Sequence, residues 1–271
     1  MKIIASRANA SFKALRALAT DSRQARRCGQ AWLDGAHLVS TYCQRIGPPR
    51  QLVLAASVAD GVEARRLRAA CAAAEVVVLT DALFAQLSAL ASPSGIAAVI
   101  DLPPTSEPAS GAKVSRIGTA SGGGLLLDAI QDAGNVGTLL RSAAAAGIGE
   151  VWLGPGCASV WSSKVLRAAQ GAHFALRLHE AADLAPLLRD FAGPSVAAVA
   201  HGGRSLYTLD LRAPAILWLF GNEGQGPAPE LLHLVRERVT IPLAAGAESL
   251  NVAAAAAVCL FEARRQALLA A

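Results

Sequence analysis

Short apolar runs alternate with helical stretches along the whole chain. Near the N-terminus, Phe12 to Ala19 has helical character, and Gln51 to Ala55 and Val76 to Thr80 are apolar runs of strand length. A helical run from about Glu63 to Ala74 separates those two, and Gly95 to Asp101 is a third strand candidate. This alternation predicts a compact α/β domain over residues 1–101. Leu102 to Gly111 is rich in Pro, Ser and Gly, and Ser121-Gly122-Gly123-Gly124 closes the region, so 102–123 reads as a linker. Beyond it the pattern sharpens. Leu125 to Ala129, Glu150 to Leu153, Ser195 to Ala200, Ile216 to Phe220 and Arg238 to Ile241 are strand-like. Val136 to Ala145, Ser162 to Ala169 and Ser249 to Leu269 are helical. Apolar strands separated by helices predict a parallel sheet covered on both faces over 124–271. Ligands then bind beyond the carboxyl ends of the strands.

Composition narrows the class. The 271 residues are 53% hydrophobic and 17% charged, which excludes a disordered chain. Much of the apolar content is alanine, and no uninterrupted apolar stretch reaches the roughly 20 residues of a membrane span. Val252 to Leu260 is shorter and runs into Glu262, Arg264 and Arg265, so it reads as a buried helix. The first residues lack a hydrophobic signal core, and a cytoplasmic location is expected. Cys28, Cys43, Cys71, Cys157 and Cys259 are scattered and form no Cys-x-x-Cys pair. The expectation is therefore reduced, mostly buried thiols, with no disulfide framework and no zinc site. The five histidines are dispersed and match no metal or triad spacing. Trp32, Trp152, Trp161 and Trp218 are read as core or interface residues rather than base-stacking platforms.

The net charge of +5 permits a polyanionic partner. Its distribution says more. Lys2, Arg7, Lys13, Arg16, Arg23, Arg26 and Arg27 stand near the N-terminus against the single acid Asp21. Such a cluster can grip phosphates or can be a solvated helix face.

Three loops carry candidate chemistry. The first, Gln131-Asp132-Ala133-Gly134-Asn135-Val136-Gly137, follows a buried strand, and Asn135 can cap the helix behind it. Gly137 and Arg141 are four apart and share a helix face, which suits a phosphate or ribose or simply carries a surface arginine. The second is Gly221-Asn222-Glu223-Gly224-Gln225-Gly226. Its glycines do not match the dinucleotide fingerprint, which argues against a nicotinamide oxidoreductase. They do make a loop whose backbone can lie against a flat ligand, and Glu223 could bind hydroxyls or an amine, or place an arginine. The third runs from Pro242 to Val252; Ser249 stands where a helix begins and is a candidate N-cap, while Asn251 is a poor helix former in a first turn.

In this order, the three loops resemble the motifs of the SpoU (TrmH) family of RNA ribose 2′-O-methyltransferases in the SPOUT superfamily. Asp132, Gly134, Asn135, Gly137 and Arg141 match the family's Asp-Pro-Gly-Asn-x-Gly and downstream Arg, with Ala133 in place of Pro. Gly221, Glu223 and Gly226 match Gly-x-Glu-x-x-Gly. Ile241-Pro242 and Ser249-Leu250-Asn251-Val252 match the most specific signature. Ser163 to Ala172 is similar to the segment between the first two motifs. Ser6-Arg7-Ala8-Asn9 with Lys13, then Asp34-Gly35 and Ser92 to Ile96, resemble the family's small RNA substrate-binding domain.

The resemblance implies a deep trefoil knot in the C-terminal domain and S-adenosyl-L-methionine as cofactor, with no metal. Gly221, Gly226, Ile241, Pro242 and Leu250 would contact the cofactor. Arg141 would be the central catalytic residue, with Asn135, Glu223, Ser249 and Asn251 orienting it, the ribose and the cofactor. A guanidinium stays protonated, so stabilising a developing alkoxide or holding a phosphate is an easier role for Arg141 than that of base. Arg7, Asn9, Lys13, Arg16 and Arg23 would bind RNA, with rRNA favoured over tRNA. A homodimer through the C-terminal domain is implied. The rival reading is a non-enzymatic RNA-binding protein on the same scaffold.

Overall fold

The computed structural model describes residues 2–21, 23–90, 92–103 and 123–270. Most of the expected linker, residues 104–122, lies outside the described residues. The described chain forms two compact units, one of residues 2–103 with 161–174 and one of residues 123–160 with 175–270.

The first unit runs β1 (Lys2–Ile4), α1 (Ala10–Thr20), α2 (Gln24–Cys28), β2 (Gln30–Asp34), α3 (Ala36–Arg45), β3 (Gln51–Ala55), α4 (Val62–Ala70), β4 (Glu75–Leu79), α5 (Asp81–Phe84) and β5 (Ile96–Asp101). Its sheet has the order β1-β4-β3-β5-β2, with β5 antiparallel to both β2 and β3 and the other pairs parallel. Phe12, Leu15 and Leu18 recur every three residues on α1 and bury one stripe against Trp32, Val53, Val77 and Val99. Asn9 starts this helix, its side-chain oxygen accepting the Ser11 N–H at 2.9 Å. Cys71 ends α4 at Ala70, four residues earlier than the apolar pattern suggests, and residues 71–74 turn into β4. Residues 161–174 follow the second unit's first strands in sequence yet belong to this unit. Their helix α7 (Ser163–Ala169) packs on β2, and Ser163 Oγ donates to the Ala19 carbonyl at 3.0 Å.

The expectation of five free thiols fails here. Cys43, near the end of α3, and Cys71, at the end of α4, form a disulfide, with Cα atoms 6.6 Å apart. Their 28-residue separation has no short-range signature, because the pairing is made by two helices meeting across the fold. Of the remaining three, only Cys259 is buried; Cys28 is exposed and Cys157 half-buried.

The second unit runs β6 (Gly123–Asp128), α6 (Ala133–Ala146), β7 (Glu150–Leu153), β8 (Arg177–His179), α8 (Leu184–Asp190), β9 (Ser195–Ala198), β10 (Arg204–Ser205), β11 (Ile216–Gly221), α9 (Pro229–Leu232), β12 (Glu237–Thr240) and α10 (Val252–Ala270). The sheet order is β10-β12-β9-β11-β6-β7-β8, and every pair is parallel, as the apolar runs predict. Leu125, Leu126, Leu127, Leu217 and Leu219 on the two central strands are completely buried, which fits a sheet covered on both faces. Helices α6 and α10 pack together. All four tryptophans are buried. No helix among the described residues is long and apolar enough to cross a membrane.

Candidate functional site

Because the sheet is parallel, the loops leaving β6, β9, β11 and β12 open on one side of it, at the strands' carboxyl ends. The order β12-β9-β11-β6 makes them neighbours. The first motif follows β6, the second β11 and the third β12.

At β6, the backbone turns at Ala129, a non-glycine residue with φ of 53°. Asp132 then caps α6, its Oδ1 accepting the Asn135 N–H at 2.9 Å. Capping was expected of Asn135. Asp132 takes that role because it has the extended backbone (φ −76°, ψ 121°) that an N-cap needs, whereas Asn135 already lies in the first turn.

The Asn135 side chain is thereby left to reach across the site. Its Nδ2 donates to Glu223 Oε1 at 3.0 Å, and its Oδ1 accepts from Asn251 Nδ2 at 2.9 Å. A carboxylate only accepts, so Glu223 dictates which end of the Asn135 amide faces it. Glu223 also accepts the backbone N–H groups of Asp132 at 3.2 Å and Gln131 at 3.3 Å. Desolvation alone would raise the Glu223 carboxyl, but these hydrogen bonds, Asn135 foremost, hold it below its ordinary value.

Asn251 also corrects an expectation. Helix α10 begins at Val252, and Asn251 rather than Ser249 covers its start, its Oδ1 accepting from Ala253 N at 2.9 Å and Ala254 N at 3.2 Å. A poor helix former stands there because it lies just outside the helix. Glu223, Asn135 and Asn251 thus form one hydrogen-bonded chain linking all three motifs.

A residue not singled out from sequence, Asn222, shapes the glycine loop. Its Nδ2 donates to the Ala129 carbonyl at 3.1 Å, and its Oδ1 accepts from Gly224 N at 2.9 Å and Gln225 N at 3.2 Å. An asparagine opening a glycine-rich turn is a recognisable signal for such back-bonding. Gly221 is irreplaceable for a different reason: a Cβ built there would run into the backbone of Gly226 and Pro227.

Beside this network lies a cavity of about 550 Å³. Of the expected cofactor contacts, Gly221, Gly226, Ile241 and Leu250 line it and Pro242 does not. Glu223 and Ser249 line it as well, whereas Asn135, Arg141 and Asn251 stand outside the lining. Val199, His201 and Leu243, which the sequence reading missed, are among the other wall residues. Arg141 is exposed on α6 and makes no hydrogen bond or ion pair among the described residues. In the first unit, Arg7, Lys13, Arg16 and Arg23 are exposed, while Asn9 is half-buried in its capping position.

The cavity size falls in the range of small-molecule sites. Aliphatic walls from Val199, Val239, Ile241 and Leu243 suit a flat apolar ring, and the Gly221–Gly226 backbone with Glu223 and Glu248 suits a polar tail. Leu250, 40% exposed, stands at this cavity as an apolar surface for a ligand to cover.

Residues 124–261 match the SpoU rRNA Methylase family. The chain is a member of the SpoU family. Over 197 residues it is 34% identical to the 23S rRNA (guanosine(2553)-2′-O)-methyltransferase RlmP of Bacillus subtilis, covering 69% of this chain and 71% of that protein. Over 146 residues it is 42% identical to the uncharacterized tRNA/rRNA methyltransferase slr1673 of Synechocystis; the match covers 53% of each, so the chain spans about half of that relative. Among solved structures, the SpoU methyltransferase AviRb of Streptomyces viridochromogenes, in complex with the cofactor AdoMet, superposes with a TM-score of 0.83 at 27% identity, over 96% of this chain and 98% of that one. The SpoU resemblance carried by the three loops is borne out, as is the α/β fold with its parallel sheet.

Proposed function

We propose that this SpoU-family protein transfers a methyl group from S-adenosylmethionine to a ribose 2′-hydroxyl of structured RNA, with rRNA favoured over tRNA. The observation that carries the reading is the Glu223–Asn135–Asn251 chain beside a ligand-sized cavity. The names of the Bacillus relative and of AdoMet-bound AviRb support it.

When bound, S-adenosylmethionine supplies the methyl group. The chain's own residues supply geometry and electrostatics. Gly221, Gly226, Ile241 and Leu250, which line the cavity, hold the cofactor, the glycines through backbone groups and the aliphatic side chains by covering the ring, while Pro242, outside the lining, shapes the chain after Ile241. Arg141 holds the target nucleotide and stabilises the charge that develops on the 2′-oxygen. Its guanidinium carries a permanent positive charge and no acceptor, which suits that task better than taking up the proton. Asn135, Glu223 and Asn251 keep the loops around Arg141 in one arrangement, and Ser249 presents a hydroxyl to the cavity. Residues 1–101 form the substrate-binding domain, where Arg7, Asn9, Lys13, Arg16 and Arg23 meet RNA, and 124–271 form the methyltransferase domain with its trefoil knot. Exposed Phe261 and Leu268 on α10 supply an apolar strip for a homodimer. A cytoplasmic location fits this substrate.

The test is to incubate wild type and Arg141→Ala with labelled S-adenosylmethionine and RNA lacking the modification, then map ribose methylation by nucleotide. A 2′-O-methyl site made by wild type and lost in the variant is expected. Absence of both methyl transfer and cofactor binding in folded wild type would leave the non-enzymatic RNA-binding reading instead.

A further inference from the structure

We propose that Cys43 and Cys71 are a reversible thiol–disulfide site, a covalent staple in the first unit that the redox state of small thiols closes and opens. The inference is independent of the methyl-transfer reading.

Three observations carry it. The ends of α3 and α4 meet where a bridge fits, the Cα atoms of the bonded pair lying 6.6 Å apart, inside the range that disulfides occupy. The two thiols also differ in access. Cys71 is 1% exposed, whereas Cys43 is half-buried and open to a small reagent. Finally, Cys71 shares a surface hollow with Arg65 and Arg68, and cationic neighbours are the setting in which thiols react as thiolates. Asp60 on the same hollow pairs with Arg68 at 3.7 Å, but Arg65 has no ion pair among the described residues, so the hollow keeps a net positive charge. Of the remaining cysteines, Cys28 is exposed but unpaired, and Cys157 and Cys259 have thiols pushed up by burial to about 11 and about 12, which leaves them inert.

The oxidant is a low-molecular-weight disulfide of the glutathione class. The Cys43 thiolate attacks one of its sulfurs, forming a mixed disulfide and releasing one thiol. The Cys71 thiolate then attacks the Cys43 sulfur, closing the bridge and releasing the second thiol. The two cysteine protons end on the two released thiols, and the small disulfide is reduced as the protein pair is oxidised. The closed staple ties the end of α3 to the end of α4, the helix that carries Arg65, Arg66 and Arg68.

The full chain would be equilibrated in buffers of graded reduced-to-oxidised glutathione ratio, quenched by alkylation and mapped by peptide mass spectrometry. One Cys43–Cys71 bridge that forms and disappears with the ratio is expected. Oxidised protein should melt roughly 5–15 °C above reduced protein, and Cys43→Ser should remove that difference while Cys28→Ser keeps it. Alkylation of both cysteines at every ratio would overturn the proposal. So would a stable glutathione adduct on Cys43 without closure, or a bridge that resists the most reducing buffer. The wild-type comparison stands even if Cys43→Ser folds poorly.

Discussion

Replacing Asn135 with alanine removes the middle link of the chain that joins the three motifs. The loss is one hydrogen bond to a carboxylate at 3.0 Å and one between neutral amides at 2.9 Å. Such bonds contribute about 1.5–3 and about 0.5–1.5 kcal/mol respectively when shielded. Glu223 and Asn251 are both exposed, so solvent screening reduces the sum to about 1–2 kcal/mol. Spent wholly on transition-state geometry, that lowers kcat about 5–30-fold. Both helix starts survive, since Asp132 still caps α6 and Asn251 Oδ1 still covers α10. The KM for S-adenosylmethionine should hardly change, because Asn135 is not part of the cavity wall. Steady-state methyl transfer by wild type, Asn135→Ala, Glu223→Ala and the double variant forms a thermodynamic cycle. Positioning through the chain predicts a coupling of at least about 0.5 kcal/mol between the two sites. Strict additivity, or a change confined to KM with kcat intact, would refute it.

Gly221→Ala forces a methyl group into the Gly226–Pro227 backbone, so calorimetric titration should show loss of S-adenosylmethionine binding together with a lowered Tm. Glu150 is 8% exposed and pairs with Arg177 and with His179 Nε2, the latter at 2.8 Å; desolvation would raise its carboxyl, but these partners outweigh that and hold it below the ordinary value. A depressed folded value means its stabilisation is present above the unfolded value of about 4.3 and is lost as pH falls through the folded one. Glu150→Gln should therefore destabilise by about 1–3 kcal/mol near neutral pH and flatten the acid limb of a Tm-against-pH curve. In the first unit, Lys13→Ala and Arg16→Ala should each reduce the salt slope of RNA binding by about 1 and leave Tm nearly unchanged, as exposed phosphate contacts do; an unaltered slope would remove α1 from the RNA surface.

Much of the second unit was legible because its signals are local. Glu150 to Leu153 is read to the residue, and Leu125 to Ala129 and Ile216 to Phe220 fall within one or two residues of β6 and β11 at each end, because buried parallel strands are unbroken apolar runs. Strands β1 and β8 were missed: each has three residues, too few for a period. Strand β2 and helix α3 are absent from the sequence reading: Gln30–Asp34 has only three apolar residues between polar ends, whereas Leu38, Val39 and Tyr42 of Ala36–Arg45 stand at helical spacing, a signal that could have found α3.

The sequence by itself determined the alternation of strands and helices, the three motif loops and their order, and the residue types the chemistry needs. Tertiary structure decided which of those residues touch. Asp132 rather than Asn135 caps α6 because backbone angles select the cap, and only that choice leaves Asn135 for Glu223 and Asn251, 88 and 116 residues away. The same holds for Val199, His201 and Leu243 in the cavity wall and for the Cys43–Cys71 pair. A side chain's type and local rhythm are written along the chain, but its partners are set by which strands lie side by side, and that order follows from packing the whole sheet.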